Sequence, residues 1–268
     1  MHKLAGMLKD VPNALIQAYR LALVKHADET GWRRDGQNGF SWLFCTTDIS
    51  IYRFRNSRSA SVAKEVFGEQ PLPGHLVVDR YNGYNKMPCS IQYCYAHLLR
   101  DVKDLEKDFP ENAEVKAFVE ALAPKLANAI TLRTLDITKR QFKQQAAKIK
   151  DAIIEIISRQ ARHPAIQNIQ DIFRQKADRL YHWADDRKIP ADNNLAEREL
   201  RPLVIARKIS FGSQSEKGAR TREILMTVLH TLKKRTPDAM AAFKSALDKL
   251  AEQPNANPAK LLFGLDSS

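Results

Sequence analysis

The chain has 268 residues, a formal net charge of +12 and an isoelectric point near 9.6. This length fits one or two domains with a sizeable core, and the excess of positive charge favours a polyanionic partner such as nucleic acid. No apolar run approaches the roughly 18 residues of a membrane span, and MHKLAGMLKDVPNAL at the N-terminus lacks a signal peptide's apolar segment, so we expect a cytoplasmic protein without a membrane partner.

Hydrophobic spacing predicts an α/β chain whose first part alternates strands with helices. Residues 1–23 have the pattern of one amphipathic N-terminal helix. Strands are predicted at 24–28, 41–48, 49–55, 75–79 and 91–95, and helices at 57–68 and 96–109. The order β-β-β-α-β-α-β-α is that of an RNase H-like fold, a mixed five-stranded sheet flanked by helices. Residues 24–110 are therefore predicted to form the first part of such a core.

The rest of the chain is predicted to be mainly helical. Residues 111–188 contain no convincing strand and predict two or three long helices, inserted before the helix that carries Glu197. This insertion is either an arm that dimerises or contacts DNA, or a solvated buttress of the core. Residues 189–253 are predicted to complete the core. The later segments are a short helix around Glu197, an extended piece after Pro202, helices at 221–235 and 237–253, and a less ordered tail at 254–268.

Three acidic residues occur in contexts that suit metal-dependent chemistry on phosphodiesters. Asp28 and Asp79 follow β-rich runs and fall on the first and fourth strands, where an RNase H-like fold carries carboxylates. With Glu197 on its helix, they form a set that commonly holds two divalent metal ions. Each residue alone has a plainer reading as a cap, turn or surface residue. Glu29 is expected on the opposite strand face from Asp28, and Asp48 at a hairpin turn.

The sequence around these residues resembles the catalytic core of the insertion sequence 66 family of DDE transposases. The resemblance runs from about Lys25 to about Arg222 and is carried by HADETGW, VVDRYNGY, CYAH and DNNLAERELRPLVIARK. It implies two Mg²⁺ or Mn²⁺ ions, with Asp79 bridging both and Asp28 and Glu197 each completing one site. It also implies hydrolysis at transposon ends, 3′-OH strand transfer into target DNA, a homo-oligomer and possible accessory transposition proteins. Members of the family are longer and carry an N-terminal DNA-binding region.

Further residues near the acidic blocks are candidates for DNA contacts. They are Asn193, Asn194, Arg198, Arg201, Arg207, Lys208, Tyr84 and His97. Each has a structural alternative: Arg201 as an i,i+4 ion-pair partner of Glu197, an asparagine as a helix cap, Tyr84 as a core side chain and His97 as a structural histidine.

The cysteines and the competing functions leave alternatives open. Cys45, Cys89 and Cys94 are an odd set that fits free thiols in a reducing compartment. Cys89, Cys94 and His97 together suggest zinc only weakly, because a fourth ligand is lacking. Besides a transposase, the sequence fits an RNase H-like nuclease that stops at hydrolysis. It also fits an inactive or truncated remnant that only binds DNA or self-associates.

Overall fold

A computed structural model of the protein describes residues 1–266. Its strands are β1 (Val24–Gly31), β2 (Phe40–Cys45), β3 (Ser50–Arg55), β4 (His75–Val78) and β5 (Ser90–Tyr93). Its helices are α1 (His2–Met7), α2 (Val11–Leu21), α3 (Ala60–Phe67), α4 (Tyr95–Asp108), α5 (Ala113–Leu132), α6 (Lys139–Ser158), α7 (Pro164–Gln175), α8 (His182–Asp185), α9 (Asn194–Ser210), α10 (Glu216–Arg235), α11 (Ala239–Glu252) and α12 (Pro258–Phe263).

The strands form one mixed sheet in the order β3-β2-β1-β4-β5. The β1–β2 and β2–β3 pairs are antiparallel, and the β4–β5 pair is parallel. This sheet, flanked by helices, confirms the predicted α/β, RNase H-like fold. Within residues 1–266, no helix is long and apolar enough to cross a membrane.

The chain divides into two compact units. The first unit contains residues 1–74, 82–89 and those from 194 onward, and thus β1–β3, α1–α3 and α9–α12. The second unit contains residues 75–81 and 90–193, and thus β4, β5 and α4–α8. The predicted helical insertion therefore belongs to the same unit as β4 and β5.

The first unit packs α9 against one face of its three strands. Apolar residues of α9 recur at positions 196, 200 and 203, a spacing that places them on one side of a helix. They join a buried cluster with residues from the strands and α10: Trp32, Leu43, Cys45, Tyr52, Phe54, Ala196, Leu200, Leu203 and Ala219. The opposite face is filled by aromatic rings such as Tyr19 and Phe67, whose centroids lie 5.6 Å apart. Both faces of the strands are thus covered, which explains why β2 and β3 are almost entirely buried.

Helix α10 covers the edge strand β3. Side-chain oxygens one turn apart on α10 accept hydrogen bonds from alternate backbone N–H groups of the strand. The pairs are Ser50 to Thr231 Oγ1 (3.1 Å), Tyr52 to Thr227 Oγ1 (3.0 Å) and Phe54 to Glu223 Oε2 (3.0 Å). The spacings match because four helical residues rise about 6 Å and two strand residues about 6.8 Å. The edge that a strand otherwise offers to another chain is therefore occupied by the protein's own helix.

In the second unit, three long helices of the insertion are fixed by caps and by bonds between segments. Thr138 and Gln141 form a capping box at the start of α6. Glu114 of α5 accepts hydrogen bonds from the backbone N–H groups of Arg162 and His163, just before α7. The hydroxyl of Tyr95 in α4 donates to the carbonyl of residue 180 at 2.6 Å. The insertion is therefore a packed helical layer attached to α4.

Four local predictions from the sequence are wrong. Residues 1–23 form two helices because Pro12 begins a new one, at a position where its missing N–H costs little. The β4–β5 connection contains only a short 3-10 helix, Asn82–Tyr84, where the predicted order β-β-β-α-β-α-β-α has an α-helix. The tail contains α12, capped by the Asn257 side chain. Residues 267 and 268 of the predicted tail lie outside the described residues.

The fourth wrong prediction is the extended piece after Pro202. Helix α9 continues through Pro202 for 17 residues in all. A proline inside a helix removes one backbone hydrogen bond and crowds the carbonyl four residues before it. Leu200 and Leu203 on either side are buried in the core cluster. Tertiary packing therefore holds the helix together across a residue that usually ends one.

Candidate active site

Asp28 emerges from the face of the sheet that α9 covers. In the antiparallel β1–β2 pair, Asp28 lies opposite Leu43 and His26 lies opposite Cys45. Directly opposite residues of antiparallel strands share a face of the sheet. Leu43 and Cys45 both belong to the cluster that contains the apolar side of α9. Asp28 and His26 therefore point to this side, and Asp28 Oδ1 accepts a hydrogen bond from the backbone N–H of Glu29 at 2.8 Å.

Glu29 has a structural role on the other face. It lies opposite Trp42 in the strand register, and its side chain is 2% exposed. It accepts hydrogen bonds from the Tyr84 hydroxyl and from Arg58 Nε, the latter at 2.8 Å. These contacts confirm the expectation that Glu29 points away from Asp28. The aspartate and glutamate next to one another in β1 are thus divided between the two faces.

Tyr84 belongs to the core. Its side chain is fully buried, and its ring meets Trp42 edge-on at 5.9 Å. The prediction that Tyr84 contacts DNA is corrected in favour of its alternative, packing, because a buried ring has no face available to a base.

Glu197 lies in the first turn of α9, and its neighbour Glu199 fixes that helix to the strands. Glu199 Oε2 accepts a hydrogen bond from Ser50 Oγ at 2.9 Å, and Oε1 lies 3.5 Å from Lys234 Nζ. The hydroxyl of Tyr52 donates to the Glu199 backbone carbonyl at 3.2 Å. Together with the apolar cluster, these bonds set the position of α9 on the sheet.

Sequence reasoning misses Glu199, although a signal is present. Position 199 falls between buried positions 196, 200 and 203, in the same stripe of the helix. A carboxylate in such a stripe needs buried partners, since an unpaired buried charge is costly. Its spacing therefore predicts a positioning residue.

Asp79 directly follows β4 in the second unit. Its Oδ1 accepts a hydrogen bond from the backbone N–H of Tyr81 at 3.0 Å, which is an Asx turn. The next residue, Arg80, forms an ion pair with Asp101 of α4. The turn uses one carboxylate oxygen and fixes the direction of the side chain. A second oxygen is available for a ligand, so the turn role and a metal role are compatible.

The three cysteines are free thiols, with Cys45 and Cys94 buried and Cys89 half-buried. Burial raises the pKa of the Cys45 thiol to about 12, although Lys234 lowers it in part. Burial also raises the pKa of Cys89. Cys94 precedes the first residue of α4, and its Sγ accepts a hydrogen bond from the Asn193 backbone N–H at 3.2 Å. The role of His97, in the first turn of α4, stays a prediction.

The predicted DNA contacts differ in their exposure. Arg198, Arg201 and Lys208 are exposed on α9, whereas Asn194 is half-buried and Asn193 is only 1% exposed. Arg207 is half-buried, and its Nη1 donates to the carbonyl of Gly31 at 2.7 Å. That the exposed cations contact phosphates stays a prediction. Arg207 instead ties the end of α9 to the end of β1.

Comparison with known proteins places these residues inside a recognised sequence family. The family model described as "Transposase IS66 family" matches residues 1–221, which include β1–β5 and all of α9. Two uncharacterized proteins of Sinorhizobium fredii (strain NBRC 101917 / NGR234) are similar. Protein y4qI is 25% identical over 220 residues, covering 75% of this chain and 40% of its own length. Protein y4jD is 25% identical over 228 residues, covering 74% and 42%. The chain therefore spans about two fifths of the length of these curated relatives.

Proposed function

The chain belongs to the IS66 family of transposases, and we propose that it is a DNA transposase core that cuts and joins phosphodiester bonds with divalent metal ions. The observation that carries the proposal is the family match over residues 1–221, in which Asp28 faces the side of the sheet occupied by the Glu197 helix. The proposed partners are transposon-end DNA and target DNA. A homo-oligomer and accessory transposition proteins remain part of the proposal.

The donor set fits hard divalent cations. Asp28, Asp79 and Glu197 offer only carboxylate oxygens, which Mg²⁺ and Mn²⁺ prefer over sulfur ligands. Asp28 lies on the first strand and Asp79 directly follows the fourth, the two strands on which an RNase H-like fold carries carboxylates, which supports assigning both to one site. We propose that Asp28, Asp79 and Glu197 would together hold two such ions, each residue as a carboxylate ligand. Two bound ions would activate the attacking oxygen and stabilise the leaving 3′ oxygen.

Other residues of the chain would position the metal ligands and the DNA. Glu199 keeps α9, and with it Glu197, in a fixed position on the sheet. Arg198, Arg201 and Lys208 are exposed on the same helix and would neutralise phosphates. In the proposed order of steps, water attacks a phosphorus at the transposon end and breaks its bond to the 3′ oxygen, which leaves a 5′-phosphate and a free 3′-OH. That hydroxyl then attacks a target phosphate and displaces the target strand's own 3′ oxygen, so one phosphodiester bond replaces another and no covalent bond between protein and DNA forms.

Metal binding tests the assignment of the carboxylates. Mn²⁺ affinity would be measured by titration for Asp28→Asn, Asp79→Asn and Glu197→Gln, with Asp104→Asn as control. Asp104 is an exposed carboxylate of α4 paired with Lys107. Each site variant removes one ionic ligand, so we expect an affinity loss of about tenfold or more, and none in the control. Unchanged affinity in all three variants would reject the site.

DNA products test the reaction. Asp79→Asn should abolish metal-dependent cleavage while salt-sensitive DNA binding is largely kept. Equal loss of cleavage and binding contradicts the role assigned to Asp79. Strand-transfer products identify a transposase, whereas cleavage without joined products identifies a nuclease on the same fold. DNA binding without cleavage in any metal identifies a non-catalytic remnant.

A further inference from the structure

The C-terminal end of α9 exposes three large apolar side chains that the proposed chemistry does not use. Ile205 is 59% exposed, Ile209 75% and Phe211 72%. Ile205 and Ile209 are four residues apart, so they are neighbours on the helix surface. Phe211 follows the last helical residue. We call these three residues the α9 tip. Exposed apolar groups that adjoin one another commonly mark a binding surface.

The backbone holds Phe211 in an unusual conformation. Its φ is 57°, in the left-handed region where glycine is normal and a bulky residue is disfavoured. Its N–H donates to the Arg207 carbonyl at 2.9 Å, and the N–H of Ser213 donates to the Arg33 carbonyl at 2.9 Å. Between them, Gly212 lies so close that a Cβ there would be 2.1 Å from the Arg33 oxygen. The ring is therefore presented to solvent by a backbone anchored on both sides.

The chain segment that carries the tip is strongly basic. From residue 200 to residue 222, the sequence has six basic residues and one acidic residue, Glu216. The basic residues are Arg201, Arg207, Lys208, Lys217, Arg220 and Arg222. The charge of Glu216 is offset by Arg34, whose Nη1 lies 3.7 Å from Glu216 Oε1. An apolar tip within a cationic region complements DNA, which offers negative phosphates beside flat base faces. Two copies of the tip would instead bring like charges together.

We propose that Phe211 stacks on a DNA base that has left the helical stack, with Ile209 against the same nucleotide and Lys208 on a neighbouring phosphate. Aromatic side chains bind unstacked bases in this way without regard to sequence. The unfavourable backbone of Phe211 fits such a role, because strain of this kind concentrates at functional positions. The inference rests on the proposed function, since it requires that the chain bind DNA.

A metal-free binding experiment tests the stacking. Fluorescence anisotropy would give the affinity for a short single-stranded DNA and for a duplex with one unpaired 2-aminopurine, whose emission reports stacking. Phe211→Trp keeps an aromatic face, Phe211→Leu keeps only apolar volume, and Phe211→Ala removes both. Met240→Ala is the control, because Met240 is 67% exposed on α11 in the same unit.

We expect wild-type affinity for Phe211→Trp and Met240→Ala. Phe211→Leu and Phe211→Ala should bind about 5- to 150-fold more weakly, the range of one base–aromatic stack. 2-Aminopurine emission should change on binding only where an aromatic ring is present. Phe211→Gly removes both the ring and the backbone strain, so it should bind as weakly as Phe211→Ala while melting no lower than the wild type.

Other outcomes overturn the proposal in distinct ways. Wild-type affinity in Phe211→Ala means that the tip does not touch DNA. Full affinity in Phe211→Leu means that the contact is apolar and not stacking. A change in oligomeric state with DNA affinity intact, seen by light scattering, assigns the tip to self-association. If the wild type shows no salt-sensitive DNA binding, the proposed function fails as well, whereas the first three outcomes leave it standing.

Discussion

Asp28 and Leu43 lie directly opposite one another in the antiparallel β1–β2 pair, so both side chains leave the sheet on the face that α9 covers. One residue further along, Glu29 lies opposite Trp42 and is buried on the other face. Two adjacent acidic residues thus have different surroundings. The pleat of a single strand assigns one to a candidate metal site and the other to the structural core.

The first prediction separates these two carboxylates. Glu29→Gln removes the charge that accepts hydrogen bonds from Arg58 and Tyr84. We expect the free energy of unfolding to fall by about 1–3 kcal/mol, with Mn²⁺ affinity unchanged. Asp28→Asn should show the reverse, a loss of Mn²⁺ affinity with little loss of stability. Urea denaturation and Mn²⁺ titration of both variants measure this, and a loss of Mn²⁺ affinity in Glu29→Gln would contradict it.

A second prediction concerns the edge of the sheet. Thr227→Val and Thr231→Val keep the side-chain shape but remove the oxygens that accept from the N–H groups of Tyr52 and Ser50. Each variant leaves a buried N–H without its partner, so we expect a loss of about 1–3 kcal/mol in unfolding free energy. Thr134→Val at an exposed position is the control. If both buried variants unfold at the same denaturant concentration as the wild type, the N–H groups of β3 must have other hydrogen-bond partners.

These threonines show why sequence reasoning reaches only part of the fold. Helix α10, predicted from apolar spacing at 221–235, buries the apolar residues Ile224, Leu225 and Val228. Hydrophobic spacing ignores Thr227 and Thr231, which lie on the same buried side and bond to a strand more than 170 residues earlier. Local patterns predict which residues form strands and helices. Partners at such separations are set by the tertiary fold.

For the candidate site, too, the sequence predicts the local elements but not the tertiary packing. The sequence places Asp28 on the first strand, Asp79 at the end of the fourth and Glu197 on a helix. The structure has Asp28 in β1 and Glu197 in α9, and it ends β4 one residue before Asp79. The sequence does not reveal that α9 continues through Pro202. The tendency of proline to end helices is a local rule, and core packing overrides it here. The exposed Phe211 lies beyond that proline. Sequence reasoning therefore treats its surroundings as a loop and misses it.

A third prediction tests the buried carboxylate of Glu223. Its oxygens lie 2.5 Å from Arg53 Nη1 and 2.9 Å from Arg55 Nη1, and its side chain is 9% exposed. Glu223→Ala leaves Arg53 buried without its partner carboxylate, so we expect a loss of about 3–5 kcal/mol. Glu65→Ala removes the half-exposed partner of Arg55 and should cost at most about 1 kcal/mol. If denaturation shows the same loss of unfolding free energy in both variants, the buried ion pair stabilises the fold no more than the exposed one.

A fourth prediction concerns pH. Burial lowers the pKa of His230, opposed in part by Glu199, and its Nδ1 lies 3.1 Å from the Tyr52 hydroxyl. The unfolded chain therefore takes up this proton at a higher pH than the folded chain. Stability should fall as pH drops below about 6.5, by at most about 1.4 kcal/mol per pH unit for this one group. The difference between wild type and His230→Gln, measured from pH 8 to 5, isolates the effect, and parallel curves would contradict it.

The last prediction distinguishes two neighbouring cations of α9 by their surroundings. Lys208 is exposed, whereas Arg207 donates to the Gly31 carbonyl at 2.7 Å and to Thr30 Oγ1 at 3.3 Å. If Lys208 neutralises one phosphate, Lys208→Gln should lower the slope of log affinity against log salt by about 0.9. Arg207→Gln should leave that slope nearly unchanged but lower the melting temperature, because it detaches the end of α9 from β1. Anisotropy titrations across a range of KCl concentrations, paired with thermal unfolding, measure both effects. A reduced slope in Arg207→Gln together with an unchanged slope in Lys208→Gln would reverse the roles assigned to the two residues.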